Sequence, residues 1–100
     1  MDEKKTKDEH KIQVDIDEET SLGMYSNLTL SIFSREEFIL DFAFLQAHIK
    51  KAKIRSRVIL SPKNAKRLAS LLNKQIKEYE ENIGPISEDQ LPPQINLSVN

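Results

Sequence analysis

One hundred residues suffice for one compact domain, and a hydrophobic share of 38% with a mean hydropathy of −0.53 requires the core to be concentrated in part of the chain. There is no cysteine, which excludes a disulfide framework and any thiolate metal site, and no apolar run reaches the about 18 residues that a bilayer span needs. The net charge of −1 is close to neutral but unevenly laid out: residues 42–77 contain ten Lys and Arg and no acid, while the other 64 residues carry a balance of −11.

Residues 1–9 are charged, lack aromatics and show no periodicity, so a disordered arm is expected there. The same stretch has no apolar core of a secretion signal, and the cytoplasm is the expected setting. From His10 to Asp17 the chain alternates, with Ile12, Val14 and Ile16 on one side and charged or amide residues on the other, the pattern of a half-buried strand. A turn follows over 18–23, where Gly23 is free to take a positive φ. The second expected strand runs from Met24 to Phe33, with Leu28, Leu30 and Ile32 on one face and Tyr25, Asn27, Thr29, Ser31 and Phe33 on the other. Ser34-Arg35-Glu36 is a short connection. The third strand, Glu37 to Leu45, is apolar on both faces apart from Asp41, the mark of a central or interfacial strand. After a loop over 46–52, the fourth strand runs from Lys53 to Leu60, with Ile54, Val58 and Leu60 opposite Lys53, Arg55 and Arg57.

Ser61-Pro62 then marks a helix start, because serine caps an N-terminus and proline at the first position gives up an N–H that would be unpaired anyway. Ala65, Leu68, Ala69, Leu72, Ile76, Tyr79 and Ile83 follow at steps that place them along one stripe, and Gly84-Pro85 ends the helix. Residues 85–100 form a tail, either disordered or adding a strand through Ile95, Leu97 and Val99. The expected fold is α+β over residues 10–84: a four-stranded antiparallel meander followed by one long amphipathic C-terminal helix, in the order ββββα. Pairing residues that sum to 98 in the second hairpin and to 70 in the first makes one face apolar and lets the helix cover it, with Phe42 at its centre.

The opposite face then carries the features of interest. Asp41 stands across from Arg57, with Tyr25, Asn27, Ile39, Leu45 and Arg55 around the pair. A plain cross-strand ion pair on a partly covered face accounts for this arrangement, and so does a binding or subunit surface whose apolar neighbours desolvate the pair. A second candidate is the basic segment 50–67, in which Lys50, Lys51, Lys53, Arg55, Arg57, Lys63, Lys66 and Arg67 could track phosphates. A solvated surface explains those charges as well, and no aromatic interleaves them. His10 and His48 have no acid at ligand spacing, and there is no P-loop, nucleophile elbow or paired-carboxylate constellation, so neither catalysis nor a cofactor is expected.

Several stretches carry a resemblance: Gly23-Met24-Tyr25-Ser26-Asn27-Leu28, Glu37-Phe38-Ile39-Leu40-Asp41-Phe42, Lys51-Ala52-Lys53, Ser56-Arg57-Val58-Ile59-Leu60-Ser61-Pro62, Ala65-Lys66-Arg67 and Tyr79-Glu80. Over residues 22–84 the chain resembles a small bacterial family, common in Bacteroidetes, catalogued as a domain of unknown function. It departs from that pattern where Pro and Gly are expected in the 46–50 loop, and where Glu-His is expected in place of Lys63-Asn64. The order ββββα is also similar to the start of the bacterial export chaperone SecB, an analogy of fold alone. The functional expectation is a non-catalytic binding or adaptor protein, a homo-oligomer with a dimer as first guess, chaperone-like in using the sheet face away from the helix. The alternative is a nucleic-acid-binding module built on the basic segment. No membrane partner is expected.

Overall fold

The computed structural model describes residues 11–88. The arm over 1–9, the start of the first expected strand at His10 and most of the tail lie outside the described residues. In chain order the elements are α1 (Glu18–Ser21), β1 (Leu28–Phe33), β2 (Phe38–Gln46), a 3-10 turn (Ala47–Ile49), β3 (Lys51–Leu60) and α2 (Pro62–Asn82). The strands form one antiparallel sheet in the order β1-β2-β3. The architecture is therefore α+β with a long C-terminal helix, as expected, but the described residues contain three strands where four were expected.

The missing strand is the one over 10–17. Residues 11–17 take no regular structure, and Ile12 and Val14 are each 86% exposed. Alternation encodes a half-buried strand but not a partner for it. The turn expected to fold this segment back is instead a helical turn: Asp17 caps α1 by accepting from the Thr20 N–H at 3.4 Å, and Glu18 and Glu19 favour its N-terminal dipole. Gly23 leaves that turn at φ 77°.

The β1/β2 register is offset by one residue from the expected one. Leu28 pairs with Ala43, Leu30 with Asp41, Ile32 with Ile39 and Phe33 with Phe38, so partners sum to 71. The cause is the turn. Ser34 donates its N–H to the Glu37 carbonyl at 2.9 Å, leaving a two-residue connection, Arg35-Glu36, where a three-residue one was expected. This slip turns Leu28, Leu30 and Ile32 onto the face of Asp41, and Thr29, Ser31 and Phe33 onto the face of Phe42. Phe42 accordingly lies between Thr29 and Ser56, half-buried, and is not the centre of a packed core.

The β2/β3 register holds as expected from Phe38↔Leu60 to Phe42↔Ser56, then shifts so that Ala43 faces Ile54 and Phe44 faces Lys53. Arg55 is the extra residue, a β-bulge.

Helix α2 begins and ends where its signals stand. The Ser61 hydroxyl accepts from the Asn64 N–H at 3.1 Å, Pro62 opens the first turn, and Gly84 follows at φ 154°. The helix does not cover the sheet along its length. Only Ala65 and Leu68, in its first turns, are half-buried, and every residue from Ala69 to Asn82 is exposed. The core reflects this. Among the described residues Leu28, Ala43 and Asp41 are buried, and no large side chain is fully buried.

Candidate functional site

The buried centre of the molecule is polar and small rather than large and apolar. Ala43 sits in the middle of β2 and is fully covered, so its carbonyl must find partners within the chain. It accepts from the Asn27 N–H at 3.1 Å and from the Ser26 hydroxyl at 2.9 Å, a proton that Ser26 shares with the Leu28 carbonyl. One residue further along, the Asn27 side-chain amide takes the place of backbone. Its Nδ2 donates to the Leu45 carbonyl at 3.0 Å and its Oδ1 accepts from the Leu45 N–H at 2.7 Å, extending the ladder beyond the start of β1.

Beside Ala43 on the same face lies the ion pair. Arg57 Nε donates to Asp41 Oδ1 at 2.7 Å and Nη2 donates to Oδ2 at 2.9 Å, a bidentate fork across adjacent strands. The Asp41 side chain is 9% exposed and that of Arg57 52%, so the carboxylate is covered and the guanidinium stays half in water. The Arg57 hydrogen bonds hold the Asp41 carboxyl below its ordinary value of 3.8, with Arg57's charge assisting and burial opposing. The same hydrogen bonds, with Asp41's charge, raise Arg57 further.

The row next to this pair is wholly apolar. Ile32, Ile39 and Ile59 face one another across the three strands, with Ile32 63% and Ile59 57% exposed. Of the residues expected to form an interaction surface, Ile39, Asp41, Leu45 and Arg57 do share one face. Tyr25 does not, since its ring packs edge-on against Phe44 at 6.2 Å on the opposite face. Asn27 is engaged in holding Leu45, and Arg55 stands at the bulge. The expected rows Thr29–Asp41–Arg57 and Asn27–Ala43–Arg55 are replaced by Leu30–Asp41–Arg57 and Leu28–Ala43–Ile54. Leu30 and Ile32 are therefore site residues that the sequence pattern assigned to the other face. The two-residue turn between Ser34 and Glu37 is what sets them there.

The basic segment divides into three parts. Lys50, Lys51, Lys53 and Arg55 line one open groove of about 980 Å³ together with Met24, Phe44 and Gln46. Arg57 is committed to Asp41, and Lys63, Lys66 and Arg67 on α2 do not line the groove. Phe44 gives the groove an aromatic wall that the linear sequence, with no aromatic among the bases, does not suggest. Among the described residues, no three His, Asp or Glu side chains come together as metal ligands, and no helix is long and apolar enough to cross a membrane.

The family model described as "Protein of unknown function (DUF3467)" matches residues 1–88. The chain belongs to this family. The match takes in the whole stretch of resemblance over 22–84, along with residues 1–10 and the segment over 11–17 that joins no strand. No curated protein and no solved structure matches the chain. Membership in DUF3467 thus supplies kinship, and the functional reading rests on the geometry.

Proposed function

We propose that the chain is a non-catalytic binding or adaptor protein of the cytoplasm, that it acts as a homo-oligomer, and that it does so through the Asp41 face of its sheet. The observation that carries this reading is the Ile32–Ile39–Ile59 row lying open beside a covered carboxylate. Contiguous apolar side chains of this kind mark a surface that is buried by a partner. Seating a partner there would take the half-wet Arg57 out of water, which strengthens its fork on Asp41 and makes the pair a positional key. The surface is chaperone-like in that it offers open apolar area across three strands.

Sedimentation at tens of micromolar tests the proposal. An oligomer is expected for the wild type, and Ile39→Asp, which places a charge in the middle of the row, should lower its order while leaving the circular dichroism intact. A monomeric wild type overturns the reading, and an oligomer indifferent to Ile39→Asp removes this face from it.

The groove lined by four cations and Phe44 favours a second reading, the binding of single-stranded nucleic acid. Affinity for an oligonucleotide should then fall steeply with salt and be lost in Lys51→Glu/Lys53→Glu. Binding that ignores salt or survives that variant rejects it.

A further inference from the structure

We infer that two copies of the chain pair through α2 in antiparallel orientation, with a two-fold axis passing close to residues 73–75. This inference rests on the self-association proposed above but uses a different surface. The helix presents a stripe in which Leu72, Ile76 and Tyr79 are 44–47% exposed, continued by its capping residue Ile83 at 71%. Its spacing is a strict heptad: Ala69, Ile76 and Ile83 at one position, Ala65, Leu72 and Tyr79 at the other. That repeat forms a narrow seam suited to one facing helix rather than a broad face suited to a sheet.

Three features select a second copy, running the other way. The first is size. The seam is small near the helix start, at Ala65 and Ala69, and large near its end, at Tyr79 and Ile83. Antiparallel pairing seats Tyr79 on the partner's exposed Ala69, with Leu72 against the partner's Ile76 at the centre, and brings Ile83 to the edge of the partner's half-buried Ala65. Parallel pairing would stack alanine on alanine, leaving voids at one end.

The second feature is charge. Lys63, Lys66 and Arg67 stand in the first turns without an acid, and Glu78, Glu80 and Glu81 in the last turns without a base after Lys77. This placement opposes the helix's own dipole, which favours acids at the N-terminus and bases at the C-terminus. An antiparallel copy makes it favourable, because each basic end then lies along an acidic end. At the positions flanking the seam, Lys66 faces the partner's Glu80. Glu80 already accepts from the Ile86 N–H at 2.9 Å through Oε2, and its second oxygen is left for this contact.

The third feature is the axis. Only residues beside it must meet their own copies, and a charge there would face itself. The flanking residues at those positions are Asn73 and Gln75, both uncharged amides.

Charge exchange tests the pairing. Lys66→Glu places acid against acid twice in its own dimer, and Glu80→Lys places base against base twice. Each should weaken self-association by about tenfold, given the modest energy of each exposed pair. Mixing the two variants restores both attractions, so the heterodimer should form about as tightly as the wild type. Parallel helices could not show this rescue, since residues 66 and 80 are about 21 Å apart along the axis. Ile76→Asp should remove the pairing outright. A monomeric wild type overturns both this inference and the sheet reading. An oligomer that Ile39→Asp disrupts, but whose charge variants gain nothing on mixing, overturns the helix pairing alone. Rescue on mixing with no response to Ile39→Asp establishes the helix pair and rejects the sheet face.

Discussion

The sheet around Ala43 and the helix α2 divide the usual roles of core and surface in an unexpected way. In the sheet, what is buried is an alanine, a leucine and an aspartate, held by the Ser26 and Asn27 side chains and by the Arg57 fork. In the helix, leucine, isoleucine and tyrosine at regular spacing stand in water. A single copy therefore closes its hydrogen bonds but not its apolar surface. The difference indicates which parts of a single copy are self-sufficient: local polar geometry positions the strands, while much of the apolar surface stays in water.

The same substitution made in both regions puts that comparison to its hardest test. Leu28→Ala, in the buried row with Ala43, should cost about 2–5 kcal/mol. Leu71→Ala, on the helix but off the seam, should change stability by less than about 0.5 kcal/mol. Leu72→Ala is the informative one. A solvated helix face would make it equal to Leu71→Ala at every protein concentration, whereas a paired seam makes its cost larger and dependent on concentration. Urea denaturation of the three variants at two concentrations separates these outcomes. Equal effects at positions 71 and 72 at both concentrations would leave the helix stripe a solvated face with no partner.

Acid should weaken the sheet through Asp41. Its carboxyl titrates below 3.8 in the folded chain because of Arg57, so the unfolded chain binds the proton first as pH falls. The stabilisation is complete above about pH 4 and is lost as pH drops through the lower folded value. Subtracting the urea midpoints of Asp41→Asn from those of the wild type across about pH 3 to 6 isolates this contribution from other carboxylates. In Arg57→Ala the covered Asp41 loses its counter-charge and burial alone governs it, so the dependence should reverse and stability should fall as Asp41 ionises. A profile unchanged by Arg57→Ala would mean that the fork contributes nothing to holding the sheet.

What could be read from the sequence divides along physical lines. The helix bounds were legible because capping is local: Ser61, Pro62 and Gly84 act on the backbone beside them. The Asp41–Arg57 pair was legible because β2 and β3 both alternate strictly up to the bulge. The β1 register was not, since Leu28, Leu30 and Ile32 make an equally apolar pattern on either face of a strand apolar on both. A one-residue difference in the Ser34–Glu37 turn decided it. The bulge at Arg55 left no trace either, because Lys53, Arg55 and Arg57 alternate whether or not one of them is skipped. The exposure of the helix seam and of Ile12, Val14 and Ile16 was illegible for a further reason: periodicity states that a face is to be buried but not against what. The groove was half-legible, its bases from their density in the chain and Phe44 only from the fold.

The smallest expected effect lies in the turn that closes β2 onto β3, the one conformationally costly spot in the otherwise well-satisfied sheet. Lys50 ends the 3-10 turn at φ 52° and ψ 43°, with its N–H donated to the Ala47 carbonyl at 3.2 Å. A side chain in this left-handed region crowds the following carbonyl, at a cost of about 1–2 kcal/mol that glycine does not incur. Glycine gives back part of that gain through the greater freedom of its unfolded chain. Lys50→Gly should therefore stabilise the protein by up to about 1 kcal/mol, read as a higher urea midpoint at unchanged slope. Lys50→Ala removes the same charge from the groove but keeps the crowded backbone, so it should leave the midpoint where it is. Equal gains from glycine and alanine would assign the effect to relief of repulsion among Lys50, Lys51 and Lys53. A gain from glycine alone places the strain in the backbone, and with it the reason that glycine is the residue expected in this loop.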